Sequence, residues 1–359
     1  MTSKKIFESS PGRREAHTLF TVDNEFESFD VQLGRIVNEY QTLAYLEEFR
    51  GMKAVLKRWF LSDSANQTAL LPEERELAVS VVEQPPLNRT KVALWVWWMD
   101  NAECSRVSDS LYIARQGNYT HVFETGLCRR NADSLSAAED ILLRADKNLR
   151  DLGGSLLDSC VRTWFYVRDI DVNYKGMADG RNHAFKNLGL TPSTRFIAST
   201  GIEGSVADPS VCVMCDLYSV IGLDKDAMKQ ISVPERMNPT HQYGVAFERA
   251  TTVDYSDRRH LFVSGTASID CHGEIMWKGD VKKQTLRMIG NVDAILENTG
   301  FRRADIGYCL VYLRDMADYM VVRHILENEF PDTPHVMLLA PVCRPGWLVE
   351  MECMAVKSI

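Results

Sequence analysis

Two glutamates near the C-terminus have the setting of a working acid. Glu350 and Glu352 lie in the run WLVEMECMAV, beside Trp347, Leu348, Val349 and Met351. In an extended strand, residues two apart share a face. Burial among apolar neighbours raises a carboxyl pKa, and a second carboxylate alongside raises it further. Glu350 is therefore a candidate general acid, protonated near neutral pH. The competing reading is a solvent-facing strand edge. Leu348 and Met354 on the same face argue against it.

Arg162, Arg181 and Arg249 are candidates for holding carboxylates, because the guanidinium fork can bind them bidentately. Arg162 sits inside the apolar, aromatic run CVRTWFYVRD. Tyr166 shares its face by period-two counting, either to hydrogen-bond a ligand or to pack. Any single arginine serves equally well as a surface or structural residue. Thr200 and Gly201 in STGIEG, and Ser264 and Gly265 in FVSGTAS, could bring backbone N–H groups close to an anion. Turn chemistry explains these glycines equally well. Cys343, seven residues before Glu350, reads either as a site residue or as a small buried hydrophobe.

Other chemistries lack their signatures. There is no GxGxxG or P-loop. His241, His260, His272 and His335 show no metal spacing, and no Ser–His–Asp set is recognisable from order. Cys212 and Cys215 form a lone CxxC in VCVMCDLY, where strand periodicity points the two to opposite faces. No cofactor and no metal is expected.

The elements that position these residues recur along the chain. An apolar strand closing on an acidic turn occurs three times: AVLKRWFLSD ending at Asp63, CVRTWFYVRD ending at Asp169 and CLVYLRD ending at Asp315. Each follows a helical pattern. The clearest is QTLRMIGNVDAILENTG, with Leu286, Ile289, Val292, Ile295 and Leu296 on one stripe and Gly300 as its stop. Each repeat ends in a further strand pair around a turn. The order strand, helix, strand, helix, strand, strand predicts an α+β fold, with mixed sheets covered on one face by helices. The expected modules are 1–100, 101–234 and 244–359. ERMNPTHQY (Glu235 to Tyr243) reads as a polar linker.

Bulk properties fit this organisation. The chain has 359 residues, 45% apolar and 25% charged, which is ordinary globular composition for two or three domains. The net charge of −8 argues against a nucleic-acid partner. The N-terminus lacks the apolar core of a signal peptide. The densest apolar run, VALWVWWM, falls short of the roughly 18 residues of a membrane span. Nine cysteines without framework spacing read as reduced thiols. A cytoplasmic location without membrane association is expected.

The third repeat resembles the Rid/YjgF family. The likeness runs from LFVSGTASID through GDVKKQTLRMIGNVDAILENTG and VYLRDMADY to LVEMECMAV. Family members are homotrimers with small-molecule sites in the clefts between subunits. The resemblance implies that three repeats in one chain mimic the trimer, with one cleft active. A Rid deaminase binds its substrate carboxylate through an arginine. That place falls near Met337 in TPHVMLL, whereas the second repeat offers Arg195 in TPSTRFIAS. An enamine or imine deaminase site would therefore need Arg195 and Glu350 to meet across a repeat boundary.

The longer chain is more similar to the chorismatases, which contain Rid-like folds. The ordered features are RTWFYVRDI, Gly180–Arg181, STGIEG, FERAT, LFVSGTASI, the run from Gly279 to Gln284, and LVEMECMA. The resemblance implies cleavage of chorismate, a small dianion, to pyruvate and a hydroxylated ring acid. Glu350 would be the acid. Arg162, Tyr166, Arg181, Thr200, Gly201, Arg249, Gly265 and Cys343 would bind substrate. Gly265 with Cys343 resembles the branch that forms 3-hydroxybenzoate; the dihydrodiol is the other product. The remaining alternatives are a Rid-like deaminase and a non-catalytic binder of small metabolites. Either a monomer with an internal pseudo-trimer or a homo-oligomer satisfies the pattern.

Overall fold

A computed structural model describes every residue except Pro11 and His241–Tyr243. The expected linker is thus described only as far as Thr240, and His241 lies outside the described residues.

The chain folds as three mixed sheets. The first contains β1 (Thr2–Glu8), β2 (Arg14–Phe20), β3 (Met52–Leu61), β4 (Ala78–Glu83) and β5 (Val92–Asp100), in the order β1-β2-β5-β3-β4. The second contains β6 (Glu103–Arg106), β7 (Leu111–Gln116), β8 (Tyr119–Cys128), β9 (Cys160–Val167), β10 (Ala198–Glu203) and β11 (Val213–Ile221), ordered β10-β9-β11-β8-β7-β6. The third contains β12 (Met228–Ile231), β13 (Ala250–Asp254), β14 (Arg258–Ala267), β15 (Ile306–Leu313), β16 (His335–Leu339) and β17 (Val349–Ser358), ordered β12-β13-β14-β17-β15-β16. β12 joins the third sheet although it precedes the linker. The helices are α1 (Phe29–Ala44), α2 (Ser64–Gln67), α3 (Ser134–Asp151), α4 (Leu156–Ser159), α5 (Ile170–Asn187), α6 (Val281–Thr299) and α7 (Tyr319–Glu329). From the first long helix onward each module follows the expected order, but two or three strands precede that helix where one was expected; the fold is α+β with tandem Rid/YjgF-like modules.

The run VALWVWWMD shows how sequence becomes layers. All nine residues of β5 are buried, so neither face meets water. Leu94, Val96 and Trp98 pack in the cluster beneath α1. The alternate residues Ala93, Trp95, Trp97 and Met99 join a central core shared by all three sheets. Sheets therefore face inward and the long helices lie outside. α6 ends where expected, at Gly300, whose φ of 70° makes the left-handed C-cap that glycine adopts without Cβ strain. One stripe position is corrected: Leu286 is 46% exposed, and Met288 is buried in its stead. Among the described residues, no helix is long and apolar enough to cross a membrane.

Candidate active site

The second and third sheets meet edge to face at β10 and β14. Ser199 N–H donates to Ser264 Oγ at 2.9 Å, and Gly265 N–H donates to Thr200 Oγ1 at 3.0 Å. Above this junction lies a cavity of about 330 Å³, walled by α5, β10, β14 and the loop between β16 and β17. Glu350, Arg181, Thr200, Gly201, Arg249, Gly265 and Cys343 all reach its surface. Residues far apart in sequence are thus gathered at one module boundary.

Glu350 stands on β17 opposite Ala267 of β14 and Tyr312 of β15, and is 5% exposed. The β14–β17 register shifts between Val263 and Thr266, a bulge that opens the sheet beside the carboxyl. Burial, and then the charge of Glu352, raise its pKa to about 8 despite the opposing charges of Arg162 and Arg249. A neutral carboxylic acid thus faces the cavity at neutral pH.

Arg181 and Arg249 supply positive charge. The Arg181 guanidinium lies between the Phe165 and Phe247 rings, 5.9 and 5.8 Å from their centres. It is 1% exposed, and Nε and Nη2 have no hydrogen-bond partner among the described residues. Buried donors left this way are costly, and a bound carboxylate would satisfy them. Arg249 is anchored through Nη2 to the Asn238 carbonyl at 2.9 Å.

Two expected site residues lie elsewhere. Arg162 is beneath the cavity, where its Nη2 donates to Thr200 Oγ1 and to Glu352 at 3.0 Å. Trp164 Nε1 donates to the other Glu352 oxygen at 2.7 Å. Arg162 therefore holds a carboxylate of the protein itself. Tyr166 is two residues beyond Trp164, and each pair of strand residues advances about 6.6 Å. This carries its ring away from the cavity toward Arg58, 5.6 Å from the ring centre. The Gly265 N–H is also committed, to Thr200, and is not available to an anion.

Arg195 is not at the cavity. Its guanidinium donates to the carbonyls of Leu156 and Cys160, at the corner where α4 enters β9. The Arg195–Glu350 site expected for a deaminase is therefore not assembled. Sequence reasoning missed Tyr174 and Ala178, which share the Arg181 face of α5 at spacings of four and three. It also missed the apolar walls Phe247, Ile269 and Trp347. Phe247 was detectable, since it is two residues from Arg249.

The three modules differ at the acid position. Glu350 pairs with Tyr312, Met214 with Tyr166 and Ala93 with Phe60, each partner lying three residues before the acidic turn of its repeat. The counterparts of Glu350 are thus Met214 and Ala93. In the same way Glu352 corresponds to Asp216, which pairs with Arg58 at 2.9 Å and closes the boundary between the first and second modules. Among these three positions, only the third module carries the acid.

Comparison with known proteins agrees with this modular reading. Residues 245–357 match the Endoribonuclease L-PSP family. A RutC family protein of Pyrococcus abyssi is 37% identical over 101 residues, covering 27% of this chain and 79% of the relative. The chain belongs to the RutC family. The 3-aminoacrylate deaminase RutC of Acinetobacter baylyi is 26% identical over 35% of this chain and 97% of its own length. This RutC family member extends well beyond those single-module relatives. A crystal structure of a chorismatase superposes with a TM-score of 0.68, over 84% of this chain and 92% of the other, at 21% identity. The whole-chain fold is thus that of a chorismatase, with the RutC module at its C-terminal end.

Proposed function

We propose that this protein cleaves the enolpyruvyl ether of chorismate to pyruvate and a hydroxybenzoate, with Glu350 as the general acid. The observation that carries this reading is a neutral, buried carboxylic acid facing the same cavity as two buried arginines. Chorismate has two carboxylates and an acid-labile vinyl ether. Arg181 and Arg249 suit the carboxylates, and Phe247, Ile269 and Trp347 suit the ring.

In this scheme Glu350 gives its proton to the terminal CH₂ carbon of the enolpyruvyl group. The ether oxygen stabilises the resulting oxocarbenium ion. Burial, and then the charge of Glu352, keep the acid protonated at rest, and the arginines offset substrate charge. Capture by the neighbouring ring hydroxyl, cleavage of that oxygen's bond to the ring with loss of a ring proton, and collapse of the resulting hemiketal with transfer of the former hydroxyl proton to the ether oxygen yield pyruvate and 3-hydroxybenzoate. Together these products contain all the atoms of chorismate. The ring proton restores the Glu350 acid. Capture by water instead gives pyruvate and a dihydrodiol. The Gly265–Cys343 pair supports 3-hydroxybenzoate through its resemblance to the branch that forms that product; Cys343 lines the cavity, and Gly265 leaves room for the acid.

Enamine or imine deamination is the second reading, supported by the RutC relatives. It lacks the Arg195–Glu350 pairing. Incubation with chorismate, with pyruvate assay and chromatography of the ring product, separates the readings. Pyruvate with 3-hydroxybenzoate supports the proposal. Ammonia release from an enamine without chorismate turnover selects the deaminase. Binding of chorismate without turnover selects the non-catalytic reading.

A further inference from the structure

Arg314 joins two walls of the cavity that belong to different modules. Its guanidinium makes a bidentate pair with Asp171 of α5, both N–O distances being 2.8 Å. Nη2 also donates to the Val342 carbonyl at 2.6 Å. Val342 immediately precedes Cys343 in the loop between β16 and β17. The Arg314 backbone N–H bonds the Leu348 carbonyl at 3.1 Å, gripping the far end of the same loop. One helical turn beyond Asp171, Tyr174 hydrogen-bonds the Cys343 thiol. Tyr174 is itself held against β10, since a Cβ at Gly201 would press on its ring. The helix and loop therefore meet twice, once through Arg314 and once at the cavity surface.

The corresponding residue of the second repeat is different in use. Arg168 donates to the carbonyls of Val206 and Val211, within its own module. Unlike Arg168, Arg314 ties two modules together, at the boundary that carries Glu350.

We propose that Arg314 and Asp171 are positioning residues for the reaction at Glu350: their pair holds Cys343 against Tyr174 and thereby keeps water from the reaction intermediate. This rests on the chorismate-cleaving reading. With the clamp closed, the ring hydroxyl captures the oxocarbenium carbon and 3-hydroxybenzoate forms. With it open, water adds to that carbon, and the hemiketal splits to pyruvate and a dihydrodiol as the added proton returns to Glu350.

The test uses the full chain and the variants Arg314→Ala, Arg314→Lys and Asp171→Asn. Asp171 is about half exposed, so its variant keeps the fold if Arg314→Ala does not. Two readouts are taken. Iodoacetamide labelling of Cys343 in the ligand-free protein is followed by mass spectrometry, with Cys104 on the distant β6 as reference. The ratio of dihydrodiol to 3-hydroxybenzoate is followed during turnover.

Release of a partly exposed bidentate pair is expected to speed Cys343 labelling about fivefold, with Cys104 unchanged. The product ratio is expected to move toward the dihydrodiol. Arg314→Lys, which cannot bridge both partners, is expected to fall between wild type and Arg314→Ala. A merely structural role would move neither the ratio nor the selectivity for Cys343. Folded variants with wild-type labelling and wild-type product ratio overturn the proposal. If labelling rises but the wild-type protein never releases pyruvate, the clamp stands and the chorismate reading fails.

Discussion

Gly265 and Glu350 face each other across the β14–β17 bulge with no space for a side chain between them, because a Cβ at Gly265 would overlap Oε1 of Glu350. The backbone of Gly265 is not in the left-handed region, so glycine is needed for this approach and not for its φ. Gly265→Ala is expected to push the acid into the cavity and lower kcat/KM about 100-fold, as a misplaced catalytic group does. The melting temperature should change little. Steady-state kinetics and a thermal melt on the same preparation check both statements.

The pKa of Glu350 fixes the pH dependence. Its acid form is the active one, so the rate should hold below about pH 8 and decline above it. The stability effect has the same origin. The folded-state pKa exceeds the ordinary value of 4.5, so the folded protein binds the proton more tightly than the unfolded chain. This contribution is fully present below pH 4.5 and is lost as pH rises through 8. Glu350→Gln, always neutral, should therefore gain stability over wild type across that window, by up to a few kcal/mol. Chemical denaturation at pH 5 and pH 9 measures the gap.

Arg181 shows a trade of stability for binding. Its buried guanidinium has two nitrogens without partners, so Arg181→Met should leave stability unchanged or raise it by about 1 kcal/mol. The same change should weaken binding of a dicarboxylate ligand by about 2–5 kcal/mol. Arg181→Lys should not restore binding, because an ammonium cannot replace the planar fork. Calorimetric titration alongside thermal melts separates the two effects.

The central core predicts acid sensitivity. His17, His121 and His260 come from β2, β8 and β14, one in each sheet, and all are buried. Burial lowers the pKa of His17 and His121 to about 3, and lowers that of His260. Glu15 and Arg258 hydrogen-bond His260, the Tyr218 hydroxyl hydrogen-bonds His121, and the Tyr255 ring packs against both histidines. In the unfolded chain these imidazoles titrate near 6.5, so the unfolded state binds more protons between about pH 6.5 and 3. Stability should fall as pH drops through that window. His121→Gln should flatten the fall, as measured by urea midpoints from pH 7 to pH 4. An equally steep fall in the variant would exclude His121 as a source.

The legible parts of this molecule were those governed by short-range pattern. The stripe of α6 and the stop at Gly300 follow from helical periodicity, and the burial of Glu350 follows from its apolar neighbours. The exposed Leu286 shows the limit, since a hydrophobic residue at the stripe edge need not be covered. Arg162 stands out in the sequence as an unusual charge in an apolar strand, but not as the holder of one of the protein's own carboxylates. Its partner, Glu352, lies on another module, and no local pattern shows that pairing. Arg195 failed for a related reason: a matched motif position does not reveal which carbonyls its guanidinium reaches. Tyr174 became visible once α5 was turned in space to share a face with Arg181.

The deciding measurement is pyruvate release from chorismate at pH 7 by wild type and by Glu350→Gln, with the ring product identified. Pyruvate and 3-hydroxybenzoate from wild type, with at least about a 1,000-fold lower rate in the folded variant, is the expected result. No release by wild type above the uncatalysed rate, or undiminished release by Glu350→Gln, would contradict Glu350-driven chorismate cleavage.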